Sequence, residues 1–345
     1  MSSFELRSLV VLLLAAFALV VPRGASAVKA DFELKIATLA PEGSTWMKVM
    51  HELDEQVRAV TDGDVGLRFY AGGIQGDEPI VIRKIRTGQI HGGGLTGVGL
   101  GEIAPGLRVM ELPFLFENDA EVSAVHEQMD PVFEQMLHVA GFTLLGWADV
   151  GFVYLYSQNP IRTQEELRQQ KVWLWEGDPL AQAFLQAAAV SPVPLPITDV
   201  MTSLQTGLIS SVYIAPLPCI ALQWFTRVKY TTDLPITHAM GAVVVSNEAW
   251  GKVPEQHRER IRALCDDYFG RLQTATRAEN EKSMQVIAES GVQSVSPAPG
   301  EGEKFRQIGV QVAADLTGKL YSGEILDRVR AVLAETRSGN SGNEP

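Results

Sequence analysis

Cysteine is scarce in this 345-residue chain. Only Cys219 and Cys265 occur, so a hydrophobic core rather than a disulfide framework must carry the fold. Both read as free, buried thiols, the usual state of isolated cysteines. Basic residues are also short: 29 Lys and Arg face 41 Asp and Glu, for a formal net charge of -12. A chain of that sign cannot neutralise phosphates over a broad surface. That excludes nucleic acid as the main partner and argues against docking on an anionic membrane. Beyond residue 27 no stretch of about 18 uncharged apolar residues occurs, so no membrane span is expected there.

Completed catalytic motifs are missing too. His51-Glu52 and His126-Glu127 open like H-E-x-x-H, but neither has the second histidine that zinc needs one turn on. There is no G-x-S-x-G elbow. The acid pairs Asp77-Glu78 and Asp266-Asp267 would point about 100° apart on a helix, which suits solvated charge better than a dyad. Gly92, Gly94 and Gly97 spell G-x-G-x-x-G, with Glu117 twenty residues on. Gly99, Gly101 and Pro105 follow, so a loop is expected there rather than a strand–helix nucleotide site. Nothing promotes an enzyme, a metal or a cofactor.

The N-terminus is rich where the rest is poor. Arg7, the apolar run Leu9 to Val21 and the small residues Ala25-Ser26-Ala27 read as a secretory signal peptide over 1–27, cleaved near Ala27. After it, strand-like and helix-like segments alternate. ELKIATL (33–39) precedes a helical stripe of Trp46, Met50, Leu53 and Val57, and GLRFYA precedes Ile80, Ile82 and Ile85. That alternation predicts an α/β fold with mainly parallel sheet. Residues 254–290 carry one unbroken helical pattern ending at Gly291. A helix of that length, about 55 Å, is long enough to span two lobes. The polar end, 336–345, is expected to be disordered.

KVWLWEG (171–177) places Trp173 and Trp175 on one face of a strand, beside Glu176. Paired indoles next to an acid suit an apolar, aromatic or cationic solute.

APEGSTW, FYAGGIQGDEPIVIRKIRTGQIHGGGLTGVGL, ELPFLF and TDVMTSLQTGLI, in that order over residues 33–290, resemble the extracytoplasmic solute receptors of TRAP (tripartite ATP-independent periplasmic) transporters. The resemblance implies a two-lobed periplasmic solute-binding fold with a long lobe-spanning helix. It also implies a small-molecule solute held between the lobes and delivered to a TRAP membrane permease, with no catalysis. Lobe I is expected from 28–150 plus 236–275, and lobe II from 151–235 plus 276–335. The chain is expected to cross between lobes near 150, near 236 and within the long helix.

The chain departs from the family where the family reads carboxylates. Trp173 stands at the place of its substrate-pairing arginine. GFV, with Phe152 and Val153, replaces a G-x-R strand, and SSVYIAPLPC replaces a polar stretch. The resemblance therefore points away from the usual organic acid. The stretch VYIAPLPCIALQWF, with LTGVGL, resembles the subgroup that works with a periplasmic tetratricopeptide-repeat partner. The expected ligand wall is Trp173, Trp175, Glu176, Tyr213, Pro216, Trp46, Thr96, Gly97, Phe114, Trp147 and Phe152, whereas Trp224 and Phe225 read as core. Two alternatives stand: an organic acid held by backbone amides or a displaced arginine such as Arg83 or Arg86, or a ligand-sensing protein that signals to a partner.

Overall fold

The computed structural model describes residues 30–340. The expected signal segment and residues 341–345 lie outside the described residues. Strands β1 (Phe32–Thr38), β2 (Val65–Tyr70), β3 (Gly92–Thr96) and β4 (Phe142–Trp147) come from the first part of the chain. The second part adds β5 (Gly151–Ser157), β6 (Trp173–Trp175), β7 (Val193–Leu195), β8 (Ser211–Ile214), β9 (Tyr230–Thr232), β10 (Thr237–Ala239), β11 (Gly241–Ser246) and β12 (Gln293–Val295).

Two five-stranded sheets divide these strands. Lobe I has the order β2-β1-β3-β11-β4, with β1 parallel to both β2 and β3 and β11 antiparallel to its neighbours. Lobe II is built on β5, which pairs with β10, β8 and β9, while β12 extends β9. The short parallel pair β6-β7 flanks it, tied by a bridge from Val172 to Ser211. Helices cover the sheets, so central strands are apolar nearly throughout, as GAVVVS of β11 shows.

Local chemistry sets the helices. Ser44 caps Thr45–Val60 by accepting from the Met47 N–H. Met47, Met50, Leu53 and Val57 bury one face at three- and four-residue spacing. Trp46 is half-buried: it packs against that core, meets Phe69 edge-on at 6.0 Å, and lines the interlobe cavity. The long helix runs Glu255–Glu289 and stops before Gly291, whose φ of 96° no helix continues. Its first half buries Ile261, Cys265, Tyr268, Phe269 and Leu272 in lobe I. Its far end places Ile287 in the core of lobe II. Cys219 and Cys265 are both free and buried.

Four details differ from expectation. GGGLTG is not a loop: β3 runs straight into the helix Gly97–Ile103, capped by the Thr96 side chain. The glycines serve close approach. A Cβ on Gly92 would lie 2.4 Å from the Val244 carbonyl oxygen, and one on Gly97 would lie 2.1 Å from the Glu111 carboxylate. The second crossing falls at Met240, not near 236, because β10 still pairs with β5. The chain also returns to lobe I a last time. Tyr321 and, on helix Gly323–Asn340, Leu326, Val329 and Leu333 are buried with the core around Asp119–Val139, although 276–335 was assigned to lobe II. Finally, that helix continues through 336–340, held by Arg337 on Glu121 at 2.8 Å, where disorder was expected.

Candidate ligand-binding site

A cavity of about 570 Å³ lies between the lobes. That is ample for a drug-sized molecule. Lobe I lines it with Thr38, Trp46, Thr96, Arg108 and Glu111, and lobe II with Trp175, Phe184, Tyr213, Ile214 and Ile220.

The helix that begins at Gly97 presents amides that would suit an anion. A protein side chain already takes that place. Glu78 accepts from the Thr96 N–H at 2.7 Å, the Thr96 hydroxyl at 3.0 Å and the Gly99 N–H at 2.7 Å. Burial pushes its carboxyl up to about 7, against the amide bonds that favour the charged form. The Gly97 N–H goes to the Met240 carbonyl. Neither the Thr96 nor the Gly97 amide is therefore free for a solute, although the Thr96 side chain lines the cavity.

The guanidinium in the cavity is similarly engaged. Arg108 reaches Glu111 at 2.8 Å and, across the lobes, Asp178 at 2.7 Å. All three side chains are buried. Asp178 also caps the helix Pro179–Ala187. Burial raises Glu111 to about 7 despite Arg108 beside it, with Asp178 and Asp149 adding repulsion. Arg83 and Arg86, the expected displaced arginines, are exposed on the helix Glu78–Arg86 and do not line the cavity.

A second carboxylate clasps the lobes. Asp77 of lobe I accepts from the Trp175 indole N–H at 3.0 Å and the Ile197 N–H at 3.2 Å, both of lobe II. Trp175 is thus both wall and latch. Trp173 does share its face, with ring centroids 5.8 Å apart. It does not line the cavity: Tyr213 stacks on it at 5.1 Å, Trp224 closes its edge, and its N–H goes to Leu195. The indole expected to be the main wall is the layer behind that wall, because Tyr213 on neighbouring β8 covers it.

The other expected wall residues scatter. Trp46, Trp175, Tyr213 and Thr96 line the cavity; Gly97 lies behind it under Glu111. Glu176 is exposed past the end of β6. Pro216 and Phe152 line a smaller recess of about 130 Å³ behind the crossover. Trp147 is buried in lobe I against Phe133 and His126. Phe114 packs on Phe184 under Arg306, while its neighbour Pro113 takes the cavity position. Arg108, Glu111, Asp178 and Asp149 were not anticipated. Arg108 and Asp178 stand 70 residues apart, and no linear spacing signals such a pair.

A two-lobed α/β chain with this interlobe cavity can be set beside known proteins. Residues 36–319 match the family model for bacterial extracellular solute-binding protein, family 7 (DctP). The chain belongs to this family. Among curated members of similar sequence, the uncharacterized protein YiiZ of Salmonella typhimurium is 30% identical over 167 residues, which span 46% of this chain and half of that protein. Among solved structures, a TRAP periplasmic solute binding protein from Sulfurospirillum deleyianum with bound succinate superposes with a TM-score of 0.81 at 17% identity. The match covers 88% of this chain and 99% of that one. A TRAP periplasmic solute binding protein from Haemophilus influenzae with bound L-gulonate gives 0.81 at 16% identity, over 87% and 99%. The family 7 receptor thus shares the two-lobed fold of the TRAP periplasmic proteins. No helix among its described residues is long and apolar enough to cross a membrane.

Proposed function

We propose that this TRAP receptor captures an apolar or weakly polar solute that lacks a carboxylate and hands it to a membrane permease. One observation carries the reading: the helix amides and the buried guanidinium that would take an anion are both filled by the protein's own carboxylates, and the other cation of the lining, Lys282, is exposed. Glu78 holds the helix amides, and Glu111 with Asp178 holds Arg108. An incoming carboxylate would be a third acid on one guanidinium, desolvated and poorly paired, at a cost of several kcal/mol. The walls facing it are Leu39, Val98, Leu155, Phe184, Ile214 and Ile220, which suit an apolar body.

A second reading keeps an organic acid. Arg108 does line the cavity, and the solved relatives hold succinate and L-gulonate. In that case the acid displaces Glu111 or Asp178 from Arg108. Mass spectrometry on an organic extract of natively purified protein separates the two. An apolar molecule at near one-to-one supports the first reading, and a small carboxylate overturns it. Likeness of VYIAPLPCIALQWF to the tetratricopeptide-associated subgroup supports a periplasmic repeat protein as a further partner. Co-purification with such a protein encoded beside the permease tests that part.

A further inference from the structure

The charge lining the cavity is lopsided. Its carboxylates are Glu78, Glu111, Asp149, Asp178 and Glu279, and its cations are Arg108 and Lys282. Most of the acids have visible work. Glu78 holds amides, Glu111 and Asp178 hold Arg108, and Glu279 accepts from the Thr45 hydroxyl. Asp149 differs. Its side chain is 8% exposed and neither oxygen accepts a hydrogen bond of normal geometry. Its partners are His126, 3.3 Å from one oxygen, and the Gly241 N–H, neither well aligned. His126 is itself shared with Asp130 at 2.7 Å.

Asp149 also sits at a junction. It lines the large cavity and, with Thr276, the recess of about 130 Å³ behind the crossover between β4 and β5. That recess is walled by Phe152, Tyr154 and His238, with Asp119 and Glu281 adding negative charge and Arg277 opposing it. Burial keeps His238 below its usual range and so neutral, while His126 holds Asp149 ionised against its burial. An ionised acid whose partners are poorly aligned, beside aromatic faces, is a place for a cation with N–H donors.

We propose that the solute bears an ammonium head on an apolar body, with Asp149 receiving the head at the neck between cavity and recess. This rests on the proposed apolar, non-carboxylate function and names its substrate class. The head gains a charge-assisted hydrogen bond, and the body fills the space between Phe184 and Ile220.

The test is calorimetric titration of the protein, stripped of ligand by unfolding and refolding, with decylammonium, 1-decanol, decyltrimethylammonium and decanoate. Decylammonium is expected to bind about tenfold or more tighter than decanol. Decyltrimethylammonium, which has no N–H, is expected to fall behind decylammonium, and decanoate to be weakest. Asp149→Asn should remove the preference for decylammonium over decanol. The comparison among ligands on the unaltered protein stands even where that variant does not fold. Equal binding of decylammonium and decanol overturns the ammonium head and leaves the apolar receptor standing. Tightest binding by decanoate overturns both, as does the absence of binding by all four.

Discussion

The two walls of the cavity are made of different things. Lobe I brings charge that is already spoken for: Glu78 on amides, Arg108 on Glu111, Asp77 reaching across to Trp175. Lobe II brings rings and branched chains, with Trp173, Tyr213 and Trp224 stacked behind or along the surface. The polar groups therefore shape the cavity and close it, and the rings and branched chains give it an apolar surface. Charge in a binding cavity need not be charge for the ligand. What decides is whether its hydrogen bonds are already made.

The largest way to break this contrast is Arg108→Ala. It strands Asp178 and Glu111 as buried acids, so a loss of about 3–5 kcal/mol in urea unfolding is expected. A loss below about 1 kcal/mol would mean that Arg108 is held for a ligand and not for the fold.

Next comes pH. Glu78 and Glu111 titrate near 7 in the fold against 4.5 as the reference value. Their folded values are raised, so the stability linked to them is full below about 4.5 and is lost as pH rises through 7. The loss is at most about 1.4 kcal/mol per unit for each group. Urea midpoints should fall between pH 5 and 7.5, and the fall should be smaller in Glu78→Gln. An equal fall in the variant would show that Glu78 does not supply the proton.

Trp175→Phe removes the indole N–H from Asp77 while keeping an apolar wall. A charged acceptor loses a donor, which is worth about 1.5–3 kcal/mol. The lobes should also spend more time apart, seen as a larger radius of gyration in X-ray scattering. Unchanged scattering would deny the latch. The smallest effect is expected at Glu176→Gln, which is exposed beyond the wall. Its unfolding free energy should move by less than about 0.5 kcal/mol, and solute affinity should not change.

Parts of this arrangement were legible in the chain because they rest on local rules. The pattern over 254–290 marked the long helix to within a residue of Glu255–Glu289, since an unbroken helical stripe and a terminal glycine suffice. The i, i+2 spacing put Trp173 and Trp175 on one face. Which of the two would meet the cavity was not legible. That depends on Tyr213, which arrives from β8 and covers one indole only. The glycines of GGGLTG were misread for a similar reason. Their spacing says nothing of Val244 and Glu111, which approach from distant segments and require that no Cβ be there.

Sequence alone thus determined the α/β class and the helix joining the lobes, because each depends on residue type and near-neighbour spacing. Only the tertiary structure decided that Glu78 fills the helix amides, that Arg108 joins Glu111 to Asp178, and that Asp149 lies between the cavity and the recess. Hydrogen bonds between residues far apart in the chain are settled by where the lobes meet, and buried groups keep or lose their partners only there.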